Sequence, residues 1–361
     1  MEATVTPLDS KAPTDEVLRR IAELRRRLGS RLLILGHHYQ VDEVIRFADH
    51  TGDSFKLAKV AAEARDAAYV IFCGVHFMAE SADMLTGDDV AVILPDLAAG
   101  CSMSDMANAD QVETAWTELT DGGRQDDLVP ITYMNSSATI KAFCGRNGGA
   151  VCTSSNADAV IKWGFEHGQR LLFLPDQHLG RNVSFDLGIP LEDMAIWDPH
   201  ALPETNLEAG CDKARVLLWK GHCSVHTKFL PEHVDQVRER IPDVNVIAHP
   251  ECPFDVIQRA DMHGSTEKII RVVSDSAAGS KWAIGTEINL VSRLARENPD
   301  KTVVSLSGIN CLCSTMYRVD PAHLLWVLEN LVEGRVVNQI SVDSETRQHA
   351  LVALDRMLAL V

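Results

Sequence analysis

Residues 32–40 read LLILGHHYQ, a short apolar run that closes on His, His, Tyr and Gln. A run this short, with no alternation of polar and apolar positions, is the pattern of a strand buried on both faces of a parallel sheet. Downstream, residues 54–67 (SFKLAKVAAEARDA) carry a helical pattern, and residues 69–77 (YVIFCGVHF) and 90–102 (VAVILPDLAAGCS) return to short apolar runs. Strands alternating with helices predict parallel α/β units.

The same series occurs three times. Residues 129–135 (VPITYMN) and 244–252 (VNVIAHPEC) match the opening run. Each run is followed by a hydroxyl-bearing turn: Gly52-Asp53-Ser54, Thr153-Ser154-Ser155-Asn156, and Gly264-Ser265-Thr266. Second strands follow in YVIFCGV, RLLFLPDQ and KWAIGTE, and each series closes on a cysteine, in AAGCSMSDM, KGHCSVHTK and INCLCSTM. His37 and Cys101 are 64 positions apart, as are His249 and Cys313, while Tyr133 and Cys223 are 90 apart. The surplus of the middle copy falls in CGRNGG (144–149) and in residues 181–214, which are rich in turn-forming or polar residues.

The chain has 361 residues and a formal net charge of −17, which argues against nucleic acid as the main ligand. At 46% hydrophobic and 24% charged, the composition is that of a folded globular protein. No apolar run reaches the length of a membrane helix, and the N-terminus lacks the basic flank and apolar stretch of a signal peptide, so a cytoplasmic location is expected. Nine cysteines, an odd number, favour thiolate chemistry or burial over disulfides. The spacing of Val17, Leu18, Ile21 and Leu24 predicts an amphipathic N-terminal helix, and LLWVLENLVEG and LVALDRMLALV predict C-terminal packing helices without chemistry. Five segments result: a polar lead-in and helix over 1–28, α/β repeats over 29–108, 109–230 and 231–318, and C-terminal helices over 319–361.

In parallel α/β units ligands gather beyond the carboxyl ends of the strands, against helix N-termini whose free N–H groups attract anions. Ser54, Ser154, Ser265 and Thr266 stand where they can cap their helices and face a carboxylate or phosphate. Cys101, Cys223 and Cys313, one per copy, can hold three irons of a cubane cluster, or a zinc ion, with one position open. Cys73, Cys144 and Cys152 lie in or beside apolar strands and read as buried small hydrophobes. His37, Tyr39, Tyr133, Asn135, His226, His249 and Glu251 put acid–base and hydrogen-bonding groups at the same strand ends. Lys228 reads as a solvated surface lysine.

The motifs HHYQ, GDSFKLAKVA, GVHFMAE, GCSMSDM, TYMNSSATIKA, CTSSNA, LPDQHLGRN, KGHCSVH, HPEC, DMHGSTEKII, IGTE and CSTM, in this order from about Leu33 to Met316, resemble the quinolinate synthase family. The resemblance implies three similar αβα domains with parallel sheets around a pseudo-threefold axis, the active site at the centre. It implies condensation of iminoaspartate with dihydroxyacetone phosphate to quinolinate, with loss of phosphate and two waters, in NAD biosynthesis. It further implies one oxygen-sensitive [4Fe-4S] cluster on Cys101, Cys223 and Cys313 whose open iron acts as a Lewis acid. Glu251 and His249 match the family's acid–base pair, with His37, Tyr39 and His226 nearby. His37, Tyr133, Asn135, Ser54, Ser154, Ser265 and Thr266, with His249 and Glu251, match its substrate-binding positions. The resemblance also points to a functional link with an L-aspartate oxidase. Cys311, two residues before Cys313, stands as a competing ligand. Rival readings are another iron–sulfur hydro-lyase, which needs no phosphate subsite, and a non-catalytic iron–sulfur sensor, which would tolerate Glu251→Gln.

Overall fold

The apolar runs of the sequence form the central strands of three parallel sheets in the computed structural model, which describes residues 14–64, 67–120, 127–308 and 311–360. The polar lead-in expected over residues 1–13 lies outside the described residues. The chain divides into two bodies: residues 14–52, 56–100 and 314–341 make the first, and 53–55, 101–313 and 342–360 the second.

In the first body, α1 (Thr14–Leu28) leads into β1 (Leu32–His37), α2 (Asp42–Ile45), β2 (His50–Gly52), α3 (Ser54–Glu63, which begins in the second body), β3 (Tyr69–Cys73), α4 (His76–Leu85) and β4 (Ala91–Ile93). The strand order is β2-β1-β3-β4, all parallel, with Ile34 of β1 paired to Ile71 of β3. Ile34, Leu35 and Ile71 are wholly buried, as a strand covered on both faces requires. Val17, Ile21 and Leu24 are the buried face of α1, as the spacing predicts, and α1 packs on α14 (Pro321–Val332).

The second body repeats the series twice. First come α5 (Ala109–Thr120), β5 (Leu128–Tyr133), α6 (Ala138–Arg146), β6 (Ala150–Cys152), α7 (Ala157–His167), β7 (Arg170–Leu174), α8 (Gln177–Asp186), β8 (Met194–Trp197), α9 (Pro203–Asn206) and β9 (Val216–Trp219). Then follow α10 (Pro231–Arg240), β10 (Asn245–Ala248), α11 (Phe254–Arg259), β11 (Met262–His263), α12 (Thr266–Asp275), β12 (Lys281–Gly285), α13 (Ile288–Glu297) and β13 (Thr302–Ser305). The orders β6-β5-β7-β9-β8 and β11-β10-β12-β13 reproduce the first sheet, each with a helix ahead of its first strand. The fold is therefore α/β with three similar αβα units.

The structure adds what the sequence pattern does not carry. β2, β6 and β11, two or three residues each, pair at the edge of their sheets immediately before the hydroxyl turns. The surplus of the middle copy supplies β8 and α9 within residues 181–214, and the CGRNGG stretch ends α6, nine residues long against four in α2 and six in α11. The lengthened α6 is the seat of α15 (Ser344–Ala359), which packs on α6 and β6. Gly145 allows this approach, because a Cβ there would lie 1.9 Å from the His349 carbonyl oxygen. Among the described residues no helix is long and apolar enough to cross a membrane.

Candidate active site

Ordinary parallel-sheet geometry brings the chemistry-bearing side chains together, because every strand ends on the same edge of its sheet. In the second body, Tyr133 ends β5, Asp176 follows β7, Cys223 and His226 follow β9, His249 and Glu251 follow β10, and Thr286 and Glu287 follow β12. Glu251 is the hub. The Tyr133 hydroxyl donates to its Oε1 at 2.5 Å, and His226 Nδ1 lies 2.8 Å from its Oε2. His226 Nε2 in turn lies 3.1 Å from the Thr286 hydroxyl. All four side chains are buried.

Burial opposes the charge on Glu251, but His226 and His249 beside it and the hydrogen bonds from His226 and Tyr133 hold its carboxyl below the usual carboxylate range. His249 is pushed down to about 3 by burial, against the pull of Glu251. Geometry agrees that His249 is neutral: its Nδ1 accepts the Glu251 backbone N–H at 3.4 Å, so the proton sits on Nε2. The 3.7 Å separation of His249 Nδ1 and Glu251 Oε1 is therefore no ion pair. His249 stacks on His226 with ring centroids 4.5 Å apart.

Cys101, Cys223 and Cys313 are half-buried thiols outside any disulfide, and Cys101 interacts electrostatically with both of the others. Burial pushes Cys101 up to about 12 and Cys223 well above its ordinary value, so a bound metal must expel their protons. The loops are tied to one another: the Trp219 indole donates to the Met106 carbonyl at 2.6 Å, and the His222 N–H meets the Met106 sulfur at 3.3 Å. Cys311 is wholly buried in an apolar cluster with Val225, Phe229 and Cys252. Cys73, Cys144 and Cys152 are buried among apolar neighbours, as expected. Lys228 is exposed.

Four residues within the quoted motifs, but not singled out from sequence, hold this constellation. Asp176 caps α8 through the N–H groups of His178 and Leu179 and faces the backbone N–H of Cys223. Glu287 caps α13 through Asn289 and Leu290 and faces the backbone N–H of Cys313. Burial pushes both carboxyls up, with the charge of Glu251 adding at Asp176, and Glu287 reaches about 8. Asn182 donates to the carbonyls of Pro250 and Cys252 at 2.8 and 2.9 Å and so clamps the Glu251 loop. Thr286 orients His226.

The hydroxyl turns differ from expectation in their caps. Ser265 is the N-cap of α12, accepting from Lys268 N–H. Ser154 is not a cap; Asn156 takes that place at α7, and its Oδ1 bonds back to Thr153. Ser54 is the first residue of α3 itself. Ser154 and Ser265 line one cavity of about 560 Å³ with Pro250, His263, Lys268 and Arg271, and Thr266 is buried beside Ser265. Asn135 Oδ1 is buried without a hydrogen-bond partner among the described residues. His37 and Tyr39 belong to the first body, where His37 Nδ1 accepts the Tyr39 N–H at 3.2 Å and their rings meet edge to face.

A buried carboxylate gripped by a phenol and an imidazole, with the Cys101 and Cys223 thiols near enough to feel its charge, is an arrangement suited to proton transfer. The family described as quinolinate synthetase A protein (NadA) matches residues 19–359. The chain is 52% identical over 361 residues to the quinolinate synthase of Bacillus cereus (strain ZK / E33L), covering 98% of each chain. It is 51% identical, with the same coverage, to those of Bacillus cereus (strain B4264) and Bacillus anthracis.

Proposed function

The chain belongs to the quinolinate synthetase A family, and on that premise we propose that it condenses iminoaspartate with dihydroxyacetone phosphate, releasing phosphate and two waters to form quinolinate. The single observation that supports this most is the buried Tyr133–Glu251–His226–Thr286 chain in the same body as three thiols, of which Cys101 interacts with the other two. The three repeats are proposed to occupy 29–108, 109–230 and 231–318.

Cys101, Cys223 and Cys313 fit a [4Fe-4S] cluster: they are half-buried thiols outside any disulfide, and Cys101 is near enough to interact with each of the other two, whereas Cys311 is packed into the core. When bound, such a cluster supplies a Lewis-acidic iron for the dehydration steps. Glu251 is the charged end of the proton chain, so as Tyr133 or His226 takes a proton from substrate, the proton of its own hydrogen bond can pass to the Glu251 carboxylate, which is thereby neutralised. Neutral His249 keeps its Nε2 proton available to a substrate oxygen. Asn135 offers an unsatisfied carbonyl oxygen to the imine nitrogen. Ser154, Ser265 and Thr266 bind carboxylate or phosphate oxygens at the mouths of α7 and α12, with Ser54 at the start of α3 in the same role. His37 and Tyr39 serve as further substrate and proton-transfer groups. Because the substrates are anions and the chain carries a net charge of −17, helix ends and a metal supply the local positive field.

The enzyme acts in the cytoplasm in NAD biosynthesis and is functionally linked to an L-aspartate oxidase, because its imine must come from a two-electron oxidation of an amino acid. Anaerobically purified protein given both substrates should form quinolinate, and inorganic phosphate should compete. Turnover of a hydroxy-acid without phosphate, and none of the triose phosphate, would favour an iron–sulfur hydro-lyase instead.

A further inference from the structure

Cys223, His226 and Glu251 each offer one ligand atom, a cysteine sulfur, an imidazole nitrogen and a carboxylate oxygen, and the three lie within 4.8 Å of one another. We propose that these three side chains form a mononuclear site for a borderline divalent cation of the zinc type, distinct in its donor set from the three-cysteine site. A mixed sulfur, nitrogen and oxygen set suits Zn2+ or Co2+ and not Mg2+ or Ca2+, which take oxygen ligands.

The surroundings have the features of a built site. His226 and Glu251 are almost wholly buried. His226 presents Nδ1 toward Glu251, while its Nε2 rests 3.1 Å from the Thr286 hydroxyl, the kind of partner that orients metal-binding imidazoles. The second oxygen of Glu251 is held by Tyr133, so the carboxylate cannot swing away. Tetrahedral zinc, with bonds of about 2.0–2.3 Å, needs donors about 3.3–3.6 Å apart. The ion would part His226 Nδ1 from Glu251 Oε2, now 2.8 Å apart, by about half an ångström and draw the Cys223 sulfur inward. The Cys223 proton leaves to solvent as the thiolate binds, and the fourth position stays open for water.

One consequence rests on the reading in the preceding subsection. Cys223 serves both sites, so a zinc ion and the cluster exclude each other, and the ion takes Glu251 and His226 out of proton transfer. Zinc captured before cluster assembly would hold the chain inactive.

The test uses the unmodified full chain, purified free of iron and sulfide, with one equivalent of Zn2+ and X-ray absorption at the zinc edge. We expect one sulfur and two or three nitrogen or oxygen neighbours. A shell of three sulfurs, a shell with no sulfur, or binding of much less than one ion per chain overturns the proposal. Titration with Co2+ gives a second reading: the thiolate charge-transfer band should persist in Cys101→Ser and Cys313→Ser and weaken at least about tenfold in affinity in His226→Gln. The reverse pattern contradicts it. Failure of the zinc site leaves iron and sulfide uptake untouched, and failure of the cluster leaves the zinc shell untouched, so the two are separable.

Discussion

Asp176 and Glu287 stand at the same point of two successive repeats: each caps the helix after the repeat's second long strand, and each faces the backbone N–H of a strand-end cysteine, Cys223 or Cys313. Helix cap and thiol loop are therefore one unit in both repeats. Asp176→Ala should lower stability by about 1–2 kcal/mol, whereas Asp176→Asn, which keeps an acceptor for His178 and Leu179, should cost less than half as much. Denaturant midpoints measure this; equal losses would show that charge, not capping, is what the fold uses.

Glu251→Gln removes the charge that Tyr133 and His226 hold while keeping the size of the side chain. Quinolinate formation should fall by at least about 10²-fold, with iron and sulfide content unchanged. Tyr133→Phe should act in the same direction but less. Full turnover in Glu251→Gln would remove it from proton transfer.

Gly145→Ala should part α15 from α6, since the added Cβ would sit 1.9 Å from the His349 backbone oxygen. A loss of about 1–3 kcal/mol is expected, as for overpacked interiors, read as a lower thermal midpoint. The exposed neighbour site Arg146→Lys is the control and should change little.

His323 and Asp320 give the N-terminus of α14 a pH dependence. The hydrogen bond that the His323 ring donates to Asp320 holds His323 above its ordinary 6.5, with Asp96 adding and burial and Arg318 opposing. Burial opposes the charge on Asp320, but hydrogen bonds from the side chain and backbone of His323 hold it below its ordinary 3.8. The histidine's contribution is full below 6.5 and lost as pH rises through its raised value; the aspartate's is full above 3.8 and lost as pH falls through its lowered one. The pair thus stabilises most between these limits, by no more than about 1 kcal/mol because both groups are part exposed. NMR titration of His323 should show the raised value, and Asp320→Asn should bring it down.

The two central strands of each repeat were legible because a strand buried on both faces must be apolar, as Ile34 and Ile71, Ile131 and Phe173, and Ile247 and Ile284 are. β2, β6 and β11 were not, since two or three residues carry no period. Among residues of the candidate site, the cysteines that follow the strands, Tyr133, His226 and Glu251 stood out by residue type and place. Asn182 and Thr286 did not, because their meaning lies in partners 68 to 70 and 60 positions away. Ser154 misled for a local reason: Asn156 turns its side chain back onto Thr153, so the helix starts later than the hydroxyl pattern implies.

Iron and acid-labile sulfide analysis of anaerobically purified wild-type and cysteine variants tests the central claim most directly. The account predicts about four irons and four sulfides per chain, lost in Cys101→Ala, Cys223→Ala and Cys313→Ala and retained in Cys311→Ala. A wild-type chain without iron and sulfide, or a cluster that survives Cys313→Ala and disappears in Cys311→Ala, would contradict it.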